Sequence, residues 1–541
     1  MSFDFIIVGG GSSGCVLASR LSENPDTSVV LIESGPRDTN PWIHVPATFF
    51  KVNRGQREMV RHQSAPQMEL GGRGFLLPQG SVLGGGSSVN AMLYIRGQAE
   101  DYDAWARMGC RDWSFDDVLP VFRDLEGNDS LDDDYHGTQG ALSVSSPSHR
   151  HPLSEKFVTA CEEAGLPRTS DFNGATQEGV GFFQTTTRKG RRCSSARAFL
   201  SPAMKRPNLT IRTGTRVARV LIKEGRATGV ELETGQEITA NREVVLTAGA
   251  LVTPTILMRS GIGPGAHLQD MTVEVHRDLP GVGRNLQDHV AVPIEARLKE
   301  PVSIFGHDKG LRGARHMAHY LLTRKGLLSS NILECGGFVD TDGTGRPDVQ
   351  FHFMPAFSLT TGGDQETGHG IGFSACVLRP QSRGTVRLHS ADPGRPIDLR
   401  PNVLTARSDV LTLMRGLRLG LDILQTPTMR NIIEKRTLPK PSMDTDAALE
   451  AHIADTSKTV FHPVGTCRMG PADDAQAVVD PQLRVYGVDR LRVADASVMP
   501  TIVSGNTNAA AIMIAERAAR FISRGCGDAP DAGADGGAGR R

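Results

Sequence analysis

Aromatic side chains are scarce in this 541-residue chain, with three Trp and five Tyr. That is too few for a legible aromatic cage around a quaternary ammonium. Net charge is missing too. Sixty Lys+Arg balance sixty Asp+Glu, so no global field draws the chain to nucleic acid or to an anionic membrane. No apolar stretch approaches the roughly 18 residues of a spanning helix. No basic segment, apolar core and cleavage site precede the opening FDFIIVGGG, so no secretory signal is expected. Eight cysteines lie scattered without C-x-x-C or zinc spacing. No metal site is expected from them, and they read as reduced thiols of a cytoplasmic protein.

Glycine, in contrast, is abundant. Its sixty residues exceed the usual ~7% and gather in a few short clusters. The chain is too long for one ordinary core. FIIVG is a buried-strand pattern, GGGSSG turns into the helical spacing of VLASRLSEN, and SVVLIESG is a second buried strand. This β-α-β unit opens a parallel sheet with a right-handed crossover. EVVLTAG (243–249) and RLRVADAS (490–497) read as further strands, leading to the helical TPTILMRSG and NAAAIMIAERAARFI. Residues 215–238 and 372–389 alternate and turn like antiparallel strands, and 300–450 reads as a separate layer. The fold class is α/β with an α+β second domain. From about 525 the sequence GCGDAPDAGADGGAGRR is low-complexity and expected to be disordered.

Gly9, Gly11 and Gly14 fit G-x-G-x-x-G between strand and helix, and Glu33 follows nineteen residues past Gly14. The glycines permit the turn, the approach of backbone to a pyrophosphate and close helix–sheet packing. The helix N-terminus turns its positive end to the phosphates. Glu33 can accept both ribose hydroxyls, and its charge disfavours a 2′-phosphate. Gly10, Ser12 and Gly14 also fit G-x-S-x-G, so a serine hydrolase with Ser12 and His462 is a rival reading. That reading gives Glu33 no role and puts the elbow on an unusual first strand.

FAD and NAD share the glycine fingerprint, and other segments decide between them. PQGSVLGGGSSVNAMLYIRG (78–97), GALVTPTILMRSGIG (249–263), GVGRNLQDH (281–289), FHPVGTCRMG (461–470), LRVADASVMP (491–500) and SGNTNAAAIMIAE (504–516) together resemble the glucose–methanol–choline (GMC) flavoenzymes. The resemblance spans the chain in order and is strongest to bacterial FAD-dependent alcohol and sorbose dehydrogenases. It implies a Rossmann-like FAD-binding domain with a discontinuous antiparallel-sheet substrate domain. The expected division is 1–150 (with an FAD lid at about 36–100), 206–295 and 456–524 for FAD, and 151–205 and 296–455 for substrate, before the tail 525–541. Ser81 stands where the family's first signature usually has a basic residue, Asn or Cys, which weakens one contact near the phosphates. Val89 stands where some choline-oxidising relatives carry a flavin-linked histidine, so FAD is expected to be non-covalent.

The resemblance also implies roles. His462, held between an apolar run, Pro463 and the Gly465 turn, is the expected base, with hydride passing to flavin N5. Asn508 matches the family's second His or Asn and is expected on the substrate oxygen, while Asn506 is expected to cap the following helix. Ser12, Ser13, Val82, Gly85, Asn90, Val217, Asp495, Ala496, Asn506 and Thr507 join Gly9, Gly11, Gly14 and Glu33 as expected FAD contacts. Glu334 and His352 match pocket residues, the former a carboxylate that binds an ammonium in choline-oxidising relatives. The expected partners are a small alcohol (aliphatic, aryl, sugar, polyether or choline) and a quinone or other electron acceptor. Membrane contact would at most be peripheral, at the inner membrane surface. Oxidase activity with O2 and a non-catalytic FAD-binding relative are the alternatives within the fold.

Overall fold

The computed structural model describes residues 1–357 and 367–525. The expected tail, its first residue aside, lies outside them. The strands Leu209–Arg212, Val29–Ile32, Ser2–Val8, Glu237–Leu246 and Leu491–Val493 pair in parallel in that order. Val29–Ile32 and the second half of Ser2–Val8 are wholly buried, as a parallel sheet covered on both faces requires. On its other edge the first half of Glu237–Leu246 pairs antiparallel with Arg226–Leu232, which pairs with Val217–Lys223. The expected antiparallel strands at 215–238 therefore extend the first sheet.

The first helix, Ser12–Leu21, and the last, Asn508–Gly525, pack together on this sheet. The Ser13 hydroxyl donates to the Ala511 carbonyl at 3.1 Å, and Arg20 pairs with Glu516 at 2.7 Å. Their N-termini meet beyond the carboxyl ends of the parallel strands, where α/β sheets bind ligands.

The second sheet runs Ile433–Leu438, Val290–Leu298, Gly370–Val377, Val349–Met354, Cys335–Val339, Gly179–Phe182, antiparallel throughout. Lys458–Thr459 adds to the start of Val290–Leu298. Its core is aromatic: Phe157 stacks on Phe353 with centroids 4.5 Å apart. The strand Val290–Leu298 crosses the division expected at 295, and Lys458–Thr459 lies past the one expected at 455. Turn chemistry does not mark either boundary, because the strands enter this sheet directly from segments that serve the first. Thr385–Leu388, expected to pair with its predecessor, pairs with Ile397–Arg400 instead.

Candidate active site

At the first glycine cluster the backbone is pressed together. A Cβ on Gly14 would lie 1.9 Å from the Gly9 carbonyl oxygen, and one on Gly85 would lie 2.7 Å from the Gly11 Cα. The Gly84 N–H donates to the Gly10 carbonyl at 2.7 Å. Space opens above: a Cβ on Gly11 would meet nothing nearer than 3.8 Å. Gly11 precedes the first helix without any side-chain cap, so its leading amides face outward with the helix dipole's positive end. Ser12 Oγ donates to Asn508 Oδ1 at 2.7 Å, tying this helix start to that of the last helix. Two long helices thus bring positive ends to one glycine-lined cradle, the arrangement a pyrophosphate needs. The Ser12 hydroxyl donates to Asn508, while the His462 ring bonds His289 and Asn506, so the serine–histidine pair of the hydrolase reading is not formed.

Glu33, 6% exposed, accepts the Gly10 and Gly35 N–H groups, each at 2.7 Å. It clamps the glycine turn to the end of the second strand. Burial raises its pKa even against these donors. Asp495 accepts the Gly249 N–H at 2.8 Å, the Thr253 hydroxyl at 2.6 Å and the Ser497 N–H at 2.8 Å. It thereby joins two loops at the same sheet edge, with Ala496 beside it. Asn90 Oδ1 accepts from Met92 N–H and from the buried guanidinium of Arg192. Val82 is buried with Ile43, Val52, Met59 and Val89 beneath the loop. Val217 begins the antiparallel extension, buried.

The His462 segment is stitched to residues 287–291. Gln287 and Val464 exchange backbone hydrogen bonds at 3.1 and 2.9 Å, and Val460 N–H donates to the His289 carbonyl at 3.1 Å. Between these ties, residues 461–463 arch outward. Phe461 takes φ +69°, a left-handed conformation that costs a non-glycine residue about 1–2 kcal/mol. Buried Asp288 holds the arch from beneath: Oδ1 accepts the His462 N–H at 2.8 Å and Oδ2 the Thr459 hydroxyl. Burial raises Asp288 to a pKa of about 7.

The side chains then form a chain of fixed direction. The Leu378 carbonyl, 2.9 Å from His289 Nε2, can only accept, so His289 carries its proton there. His289 Nδ1 therefore accepts from His462 Nδ1 at 2.9 Å. Neutral His462 is left with a lone pair on Nε2, 3.2 Å from the amide nitrogen of Asn506. The Asn506 oxygen accepts from Gln350 Nε2 at 3.2 Å. Burial lowers the pKa of His289 to about 4. Burial, then repulsion from His289 and His352, holds His462 well below an ordinary imidazole. Both rings are neutral near pH 7.

Neither asparagine caps the last helix, where Asn506 was expected to. The Ala511 N–H donates to the Thr507 carbonyl at 3.0 Å, so Thr507 occupies the cap. Asn506 lies one residue earlier and reaches His462; Asn508 begins the helix and faces Ser12. Glu334, 1% exposed, does not offer a free carboxylate. Its oxygens take donors from His149 (3.0 Å), His151 N–H (2.6 Å), Ser154 (2.9 Å) and Ser330 (2.5 Å). His352 is 8% exposed with an unpartnered Nδ1, and it lies close enough that protonation of one ring opposes that of His462. Burial, followed by repulsion from His289 and Lys458, lowers its pKa to about 3. His289, Asp288 and Gln350 went unmarked in the sequence, although His289 closes the quoted GVGRNLQDH.

Models of the N- and C-terminal parts of the GMC oxidoreductases match residues 3–291 and 380–515. The chain belongs to the GMC oxidoreductase family. It is 43% identical over 531 residues to an alcohol dehydrogenase [acceptor] of Pseudomonas putida, covering 96% of each chain. It is 39% identical over 530 residues to an oxygen-dependent choline dehydrogenase of Rhizobium johnstonii, again 96% of each. Among solved structures, an FAD-dependent oxidoreductase from Chaetomium thermophilum superposes with TM-score 0.88 at 28% identity, covering 97% of this chain and 99% of that one. FAD fits this GMC chain, because the glycine cradle and its uncapped helix amides provide a diphosphate seat with His462 at the same sheet edge. No helix among the described residues is long and apolar enough to cross a membrane.

Proposed function

We propose that this GMC enzyme is a dehydrogenase that oxidises an uncharged alcohol to an aldehyde or ketone, with His462 as the base. A quinone or similar acceptor then takes the electrons. One observation carries the reading. The hydrogen-bond chain from Leu378 through His289 leaves the His462 Nε2 lone pair beside a single amide donor. Bound FAD supplies the hydride acceptor. The substrate hydroxyl gives its proton to His462 Nε2, and the Asn506 N–H holds the oxygen as charge develops on it. As His462 becomes imidazolium, its Nδ1–H remains on His289, which keeps the ring from turning. The lowered pKa keeps the base unprotonated at neutral pH.

Gly9, Gly11, Ser12, Ser13, Gly14, Glu33 and Asp495, with Val82, Gly85, Asn90, Val217, Ala496, Asn506 and Thr507, would hold FAD. Val89 offers no nucleophile for a covalent link, so the cofactor is held non-covalently. Glu334 is committed to four internal donors, and this favours a neutral substrate over choline. Similarity to the alcohol dehydrogenase [acceptor] favours an acceptor other than oxygen. The test is anaerobic: add 1-butanol, benzyl alcohol, sorbose, a polyethylene glycol and choline in turn, and follow the flavin absorbance. Bleaching by an uncharged alcohol, with slow recovery in air, is expected. A yellow protein that no alcohol bleaches, or only choline bleaches, would overturn the reading.

A further inference from the structure

The helix Gly310–Thr323 has fourteen residues, and among them only Tyr320 is buried. Leu311 is 90% exposed, Leu322 86% and Leu321 58%. At about 100° per residue, Leu311, Arg315, Ala318 and Leu322 share the face opposite Tyr320. That face presents two leucines to solvent. Tyr320 anchors the helix: its hydroxyl donates to the Gly190 carbonyl at 3.0 Å. Gly190 is the turn of a small hairpin, Thr187–Arg188 with Arg191–Arg192. Arg188 and Lys189 of that hairpin are exposed and so lie beside the cationic helix end, Arg324 and Lys325. Neither 187–192 nor 309–325 contains an acidic residue. In a chain of zero net charge this is a local concentration of cations around an exposed apolar stripe.

We propose that this helix and the hairpin beside it form a docking surface for an anionic lipid bilayer. Leucines on the outer face enter the headgroup boundary, while the flanking Arg and Lys stretch their chains along it and reach the phosphates. Each cation near such a surface adds attraction that salt weakens. A second copy of the chain fits less well, because a two-fold contact would set these cations against themselves. The contact is peripheral and places the enzyme where a lipid-soluble acceptor dissolves. It goes beyond the proposed reaction, which does not depend on it.

The holoenzyme should be spun with sucrose-loaded vesicles of equimolar phosphatidylglycerol and phosphatidylcholine, and separately with phosphatidylcholine alone. Sedimentation with the first only, fading as salt rises, is expected. A Leu311→Asp/Leu322→Asp variant and an Arg188→Glu/Lys325→Glu variant should each bind roughly tenfold or more weakly. Both should keep wild-type turnover with a water-soluble dye, which separates failure of docking from failure of the catalytic reading. Equal binding to both vesicle types, no binding, or leucine variants that bind like wild type would overturn the proposal. So would a dimer on gel filtration that the leucine variant dissolves, since the stripe would then join two copies.

Discussion

Two buried networks in this protein are built around histidine, and they hold it in opposite charge states. In the first, both ring nitrogens of His136 face carboxylates, Glu126 at 3.2 Å and Asp171 at 3.1 Å. Carboxylates only accept, so both nitrogens must donate and the ring is an imidazolium. Burial pulls its pKa down, but the bonds to Asp171 and Glu126 outweigh it and raise it to about 9. Glu126 also pairs with buried Arg96. The second network is the one at His462. Its partners are a backbone carbonyl, a second imidazole and an amide, so burial prevails and the rings stay neutral. Carboxylate partners make a histidine a charged lock, whereas neutral partners with one-way donors make it a base. Fixed charge suits structure; a lone pair shared only with an amide donor suits proton transfer.

The largest effect that would test this contrast is on rate. His462→Ala should lower the rate of anaerobic flavin reduction by roughly 10²–10⁴ while leaving the melting temperature almost unchanged. Asn506→Ala should follow at roughly 10² through loss of one donor to the developing oxyanion. An unchanged reduction rate in His462→Ala would remove it as the base. The charged network should answer in stability instead. Glu126→Gln leaves Arg96 and His136 short of a counter-charge in a buried site and should cost about 3–5 kcal/mol by denaturant titration. Flavin reduction in the folded fraction should stay near wild type.

The histidines of the two networks should also respond on opposite limbs of pH. His136, raised above its ordinary value, contributes stability that is full below pH 6.5 and is lost as pH climbs through about 9. His289 and His352, lowered to about 4 and about 3, contribute stability that is present above 6.5. It is lost as pH falls toward those values. Asp288, raised to about 7, acts in the same sense as His136 and loses its contribution as pH rises through 7. Melting temperature should therefore decline on both sides, and Glu126→Gln should flatten only the alkaline limb. A smaller, kinetic test follows. His289→Leu removes the acceptor for the His462 Nδ1–H, frees the tautomer and should slow flavin reduction by roughly tenfold. His289→Gln restores an acceptor oxygen and should recover most of the rate.

Much of the site was legible where its determinants are local. Gly9, Gly11, Gly14 and Glu33 lie within one β-α-β unit, so spacing alone placed them. His462 was legible from its motif, with Pro463 and Gly465 beside it. His289 was not, because its contact with His462 spans 173 residues and depends on the antiparallel tie of Gln287 to Val464. The partners of Glu334 were hidden for the same reason: three of its donors come from the distant segment 149–154. The two sheets were legible as buried runs and alternating segments. Their membership was not, since the chain passes from the loop before Val290 straight into the second sheet without a break in pattern.

The positions of Asn506 and Asn508 were obscured by another cause, and it allows the finest test. Helix starts read from sequence are uncertain by a residue or two, and here such a shift decides which amide reaches the base. Asn508 Oδ1 accepts from Ser12, so its substitution by Ala removes one hydrogen bond between two helix N-termini, worth about 1 kcal/mol. The cradle loses a tie, and the base loses nothing. Asn508→Ala should therefore release FAD more readily, read by flavin fluorescence during thermal denaturation, while the reduction rate of the loaded enzyme stays within a factor of two or so. If instead it slowed reduction as much as Asn506→Ala, the catalytic amide would belong to residue 508. The hydrogen bond from Asn506 to His462 would then serve only to hold the loop.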